Sequence, residues 1–113
     1  MSAEQMLIAG QWVDSENGET ADILNPANGE VIATTPKATL ADVERCVNAS
    51  REAFNNPEWK NIDPAQRGRI LNKMAAATYA NAKSLAVLES TNNGKTFREA
   101  LSEIRFGAWT LEY

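Results

Sequence analysis

Thr39-Leu40-Ala41-Asp42-Val43-Glu44-Arg45-Cys46-Val47 is the stretch at which this 113-residue chain changes its period. Thr39 with Asp42 three residues later has the form of a capping box in which Asp stands for Glu or Gln. Leu40, Val43, Val47 and Phe54 then recur near one helical face. Upstream the pattern is that of short strands. Met6-Leu7-Ile8 and Gln11-Trp12-Val13 flank Ala9-Gly10, where Gly10 can supply the positive φ of a tight hairpin. Asn17-Gly18 marks the next turn, followed by a β-prone run from Thr20 to Leu24. Asn25-Pro26-Ala27-Asn28-Gly29 is dense in turn residues, and Glu30 to Thr34 reads as a further strand. Pro26 pushes Asn25 to extended geometry, and Gly29 can take a left-handed conformation.

Downstream the signals are helical. Pro57 ends the first segment. Asp63-Pro64-Ala65-Gln66 combines an N-cap acceptor with proline at the first helical position, and Ile70, Leu71, Met74 and Ala77 then line one side. Asn81 is a point of interruption, after which Leu85 and Leu88, with Ala82 and Ala86 beside them, continue as a further helix. Asn92-Asn93-Gly94 stops it, with Gly94 suited to the left-handed position after a helix. Thr96-Phe97-Arg98-Glu99 is another capping box, opening a stripe of Phe97, Leu101, Ile104, Ala108 and Leu111. No Gly, Pro or basic cap closes that stripe before Tyr113, so it reads as a chain cut short. The expectation is an α+β fold in one domain over residues 1–113. A small antiparallel strand layer (6–35) precedes about four helices (40–113).

Composition narrows the function. Eleven Lys and Arg against 15 Asp and Glu give a formal charge of −4, which argues against nucleic-acid binding, a task that wants a basic face. Hydrophobic content of 43% and charged content of 23% are those of a globular chain. No apolar run approaches the ~18 residues of a membrane span. Met1-Ser2-Ala3-Glu4-Gln5 lacks the basic start of a secretory leader, so none is expected. The single Cys46 cannot form an internal disulfide, which fits a cytoplasmic location. The chain has no His, which removes Ser-His-Asp, Cys-His and His-ligated metal sites. Gly94-Lys95-Thr96 has the form of a P-loop tail, but the leading Gly it requires falls at Glu89.

Four phrases, taken in order, resemble the N-terminal region of the NAD(P)-dependent aldehyde dehydrogenase superfamily. They are Ile8-Ala9-Gly10-Gln11-Trp12-Val13, then Asn25-Pro26-Ala27-Asn28-Gly29-Glu30-Val31-Ile32-Ala33. Pro64-Ala65-Gln66-Arg67-Gly68-Arg69-Ile70-Leu71 and Leu88-Glu89-Ser90-Thr91-Asn92-Asn93-Gly94-Lys95 follow, and the closing Leu111-Glu112-Tyr113 fits too. The resemblance covers essentially the whole chain from Leu7, yet only the opening part of that family's longer sequence. It implies the N-terminal part of an aldehyde dehydrogenase cofactor-binding domain. The implied activity of the full-length enzyme is oxidation of an aldehyde to a carboxylic acid with NAD or NADP.

The family's nucleophilic Cys, its general-base Glu, its oxyanion-hole Asn and its phosphate-binding glycines all lie later than this chain reaches. The chain is therefore expected to be catalytically inert alone and to hold no nicotinamide cofactor by itself. It is expected to self-associate, or to bind the rest of the enzyme, through the apolar stripe of the last helix.

Cys46 reads as a small, partly buried helix residue rather than a nucleophile, since Arg45 is its only immediate basic neighbour. Glu89 reads as a partner in a local ion pair or cap. Trp12, Trp59 and Trp109 read as packing anchors.

Two further sets of positions follow from the resemblance. Some members hold a monovalent cation with backbone oxygens before the N-P turn and an acidic residue before the N-G-K. The matching positions are Ile23, Leu24 and Asn92, with Asn92 standing where Asp is common. A plain turn and helix end is the competing reading. The family's last helix of this region lines the aldehyde entrance, and Glu103 and Phe106 match tunnel-facing positions. Aminoaldehyde-oxidising members tend to place acidic residues there. Glu103 fits that pattern and Phe106 does not, so the substrate class stays open. A solvated face for Glu103 and core packing for Phe106 are equal readings. The rival to the whole account is a free-standing, non-catalytic interaction or scaffold module.

Overall fold

The computed structural model describes residues 2–113; Met1, the first residue of the stretch read for a leader, lies outside them. The chain divides into two compact units. One runs through Leu24 and resumes over Glu30–Asn61, and the other comprises Asn25–Gly29 with Ile62–Tyr113.

The first unit holds the strands and two helices. β5 (Val31–Pro36) is the centre of a three-stranded sheet, with β4 (Thr20–Leu24) antiparallel on one side and β1 (Ser2–Ala3) parallel on the other. The antiparallel layer is the expected one. The parallel edge strand is additional, because two residues are too few to carry an alternating pattern. Ala33, which faces Ile23 across the β4–β5 ladder, is buried. β2 (Met6–Ile8) and β3 (Gln11–Val13) form a separate hairpin with Ile8 opposite Gln11. Both turn residues have positive φ, +52° at Ala9 and +77° at Gly10, the sense that matches the twist of the flanking strands. Gly10 announced this in the sequence; the non-glycine Ala9 did not.

Thr39 opens α1 (Leu40–Asn55) with the reciprocal box expected of it. The Asp42 N–H donates to Thr39 Oγ1 at 3.2 Å, and the Thr39 N–H donates to Asp42 Oδ2 at 2.9 Å. Asp42 also accepts from the Glu16 N–H at 3.2 Å and from Arg45 at 2.6 Å, so this carboxylate, only 1% exposed, pins the turn after β3 to the start of the helix. The Thr39 N–H, followed by Arg45, the Glu16 N–H and the Thr39 hydroxyl, outweighs burial and holds the acid well below the usual carboxylate range. Pro57 ends α1 and also begins α2 (Pro57–Lys60), a single turn capped by Asn56, whose Oδ1 accepts from the Glu58 N–H at 2.9 Å. This short helix is the fifth where about four were read. The predicted apolar face of α1 is real but uncovered: Leu40 is 75% exposed and Phe54 64%, with Val43 and Val47 about half exposed.

The second unit is a helical layer of α3 (Pro64–Ala80), α4 (Ala82–Asn93) and α5 (Phe97–Glu112), in which α5 packs on both others. Asp63 caps α3 through the Ala65 N–H at 3.0 Å, with Pro64 in the first turn, where its missing N–H costs nothing. Asn81 divides α3 from α4, its own N–H and its side-chain amide both donating to the Ala77 carbonyl. The buried residues are alanines (Ala75, Ala82, Ala86, Ala100 and Ala108), whose small side chains let the helices approach closely.

Three expectations are corrected here. The α5 stripe is open only at its start: Phe97 is exposed, but Ala108 is fully buried and Leu101, Ile104 and Leu111 are half-buried, because α3 and α4 cover that part of the face. Trp12, Trp59 and Trp109 are exposed rather than acting as packing anchors, and Cys46 is exposed rather than partly buried. Among the described residues, no helix is long and apolar enough to cross a membrane.

Candidate functional site

The α4–α5 turn concentrates the polar chemistry of the second unit. Gly94 ends α4 at φ +83°, its N–H donating to the Ser90 carbonyl at 3.0 Å. Ser90 Oγ donates to the Lys95 carbonyl at 2.7 Å, the Lys95 N–H donates to Asn93 Oδ1 at 3.0 Å, and Asn93 Nδ2 donates to Glu89 Oε1 at 2.6 Å. The turn is thus fixed from both sides, and residue 94 meets a second constraint. A Cβ there would stand 2.9 Å from Pro26 Cγ, so the Asn25–Gly29 turn packs on bare glycine backbone. That turn is itself held by Asn25, whose side-chain oxygen accepts from the Ala27 N–H at 2.9 Å and whose carbonyl accepts from the Gly29 N–H at 2.8 Å.

Lys95 joins the two helices electrostatically. Its Nζ pairs with Glu103 of α5 and, at 3.2 Å, with Glu89 of α4. Glu103 first, then Glu89, raises the Lys95 pKa against a smaller opposing effect of burial, so the ammonium is held charged. Thr96 opens α5 with the predicted box, Glu99 closing it. Further along α5, Phe106 is exposed, its ring centroid 5.5 Å from Trp109, which in turn lies 6.2 Å from Tyr113. At the far end burial, then the Glu112 carboxylate, raises the Tyr79 pKa.

The structure places the sequence-derived candidates as follows. Ile23 and Leu24 lie in the first unit, at the β4 register shift, with Ile23 half-buried and Leu24 exposed. Asn92 lies in the second unit, exposed in the last turn of α4. Glu103 and Phe106 both lie on α5, Glu103 engaged by Lys95 and Phe106 in the ring ladder. Glu89 both accepts from Asn93 and pairs with Lys95. Among the described residues there is no group of three or more His, Cys, Asp or Glu placed to hold a metal ion. The local ion pair read for Glu89 is present with Lys95, but sequence reasoning missed the link from Lys95 to Glu103, since an eight-residue separation across a turn leaves no local signature, and it missed the burial of Asp42. The chemistry of this arrangement is that of a scaffold: ion pairs and caps that fix helix ends.

Against known proteins, the family model described as "Aldehyde dehydrogenase family" matches residues 12–113. The chain is 39% identical over 97 residues to the cytosolic 10-formyltetrahydrofolate dehydrogenase of Xenopus tropicalis, covering 86% of this chain and 11% of that protein. It is 36% identical over 106 residues to malonate-semialdehyde dehydrogenase 2 of Bacillus mycoides, covering 94% and 22%. Among solved structures, an NAD-dependent aldehyde dehydrogenase from Sinorhizobium meliloti superposes with a TM-score of 0.94 at 38% identity, covering 98% of this chain and 22% of that one. A betaine aldehyde dehydrogenase from Staphylococcus aureus, solved with NAD+, gives 0.94 at 34% identity over 97% and 22%. The chain therefore spans about a tenth to a fifth of the length of these relatives.

Proposed function

Because the chain belongs to the aldehyde dehydrogenase family, we propose that it is the N-terminal scaffold of a cytoplasmic enzyme that oxidises an aldehyde to a carboxylic acid with NAD or NADP. The observation that carries this reading is a family likeness running from residue 12 to residue 113, through both units. The nicotinamide cofactor supplies the hydride acceptor. This chain's own contribution is positional. The capped α5 presents Glu103 and Phe106 toward the aldehyde, with Lys95 offsetting the charge of Glu103. The remainder of the enzyme, or a second copy, is the macromolecular partner.

On this reading the chain by itself neither turns over aldehydes nor retains NAD. Calorimetry with NAD and with NADP, together with an aldehyde-dependent absorbance assay for the reduced cofactor, tests it. No saturable heat and no reduced cofactor are expected. Turnover abolished by Cys46→Ala would overturn it.

A further inference from the structure

Asparagine precedes glycine three times in this chain, at Asn17-Gly18, Asn28-Gly29 and Asn93-Gly94. Glycine has no Cβ to hinder its own amide nitrogen, so at such a pair that nitrogen reaches the preceding side-chain amide most readily. In all three the glycine N–H is bonded to a carbonyl, of Ser15 at 2.9 Å, Asn25 at 2.8 Å and Ser90 at 3.0 Å, so this restraint does not distinguish them. Their surroundings do. Asn93 lies in the last turn of α4, and its amide nitrogen, the group that would have to leave, donates to Glu89 Oε1 at 2.6 Å, while its oxygen accepts from the Lys95 N–H. The turn carrying Asn28 packs through Pro26 on the Gly94 backbone. Asn17 is held by its oxygen: Oδ1 accepts from the Ser15 hydroxyl at 2.5 Å and from the Glu19 N–H at 3.0 Å. A backbone N–H can only donate, which fixes the oxygen at that end of the amide.

We propose that Asn17-Gly18 is a self-modification site, at which the side-chain amide nitrogen is lost as ammonia in preference to those of Asn28 and Asn93. When the Gly18 hydrogen bond opens, solvent hydroxide takes the N–H proton. The nitrogen attacks Asn17 Cγ, and the new N–Cγ bond forms. Negative charge then develops on Oδ1, where the Ser15 hydroxyl and the Glu19 N–H already donate. The Cγ–Nδ2 bond breaks, and Nδ2 takes a proton from water and leaves as ammonia, so a five-membered imide remains. Water opens the imide at either carbonyl, giving an aspartyl or an isoaspartyl residue at position 17. The aspartyl product keeps both donors, now charge-assisted. Every protein group in the step lies within residues 15–19. It therefore rests neither on the aldehyde dehydrogenase reading nor on what covers the chain elsewhere.

Peptide mapping by mass spectrometry tests it on the full chain, held folded at mildly alkaline pH and, in parallel, unfolded in urea. In the folded chain, loss of ammonia followed by gain of water should appear first at position 17, about tenfold or more ahead of positions 28 and 93, and should speed up as pH rises. In urea the three Asn-Gly pairs should react at similar rates, because the contacts that separate them are gone. Ser15→Ala removes one donor to Oδ1 and should slow the folded-state reaction at position 17 by about threefold or more, with the rate in urea unchanged. Helical circular dichroism checks that this variant folds, and the wild-type comparison with urea decides the matter without it. Asn28 or Asn93 reacting as fast as Asn17 in the folded chain, the same margin between sites in urea, or a folded Ser15→Ala variant that reacts at the wild-type rate or faster would each overturn the inference.

Discussion

Substituting Gly94 with alanine tests the turn that joins α4 to α5 and receives the Asn25–Gly29 segment. Two costs add at this position. At φ +83° an L side chain is strained by roughly 1–2 kcal/mol. The new Cβ would also stand 2.9 Å from Pro26 Cγ, a ring carbon that cannot swing aside, and overpacking of this kind costs roughly 1–3 kcal/mol. Gly29 separates the two costs, since it has φ +74° but nothing within 4 Å of a built Cβ. Gly29→Ala should therefore lose only the strain, and Gly94→Ala should lose about 1–3 kcal/mol more. Pro26→Ala removes the opposing ring, and in that background the excess at residue 94 should fall close to zero. Urea unfolding followed by helical circular dichroism gives each value, with an unchanged slope as the condition for comparing midpoints. Equal losses for the two glycine variants, or an excess that survives Pro26→Ala, would refute the packing argument.

Other outcomes follow from the caps and from the buried acid. Thr96→Ala removes the side-chain acceptor of the Glu99 N–H and should cost about 1 kcal/mol, with Thr39→Ala at α1 losing at least as much because Asp42 depends on it; urea midpoints unchanged in both would refute this. Asp42 has a folded pKa below its ordinary value, so its contribution is complete above about pH 3.9 and is lost as pH falls toward the folded value. Acid unfolding curves should therefore show Asp42→Asn less stable at neutral pH but less sensitive to acidification, and a variant with the wild-type acid limb would count against the assignment.

The sequence by itself determined what is encoded over three or four residues. The boxes at Thr39 and Thr96, the cap at Asp63 with Pro64, the break at Asn81, the stop at Gly94 and the hairpin at Ala9-Gly10 all stand where their residues placed them. Each depends on a cap side chain or on a positive backbone φ acting among neighbours along the chain, so no distant contact is needed to set it. The ordered phrases also carried the family, because such local turns recur wherever the same backbone is built.

Only the tertiary structure decided which apolar faces find cover. Helical spacing marked α1 and α5 alike as amphipathic, yet α3 and α4 cover the stripe of α5 from Leu101 onward, while Leu40 and Phe54 of α1 stay open. It also decided that Glu103 pairs with Lys95 and that Asp42 becomes the most enclosed acid of the first unit. Periodicity says that a face is apolar, but burial and ion pairing are properties of what approaches that face from elsewhere in the chain. That information is absent from any single helical window.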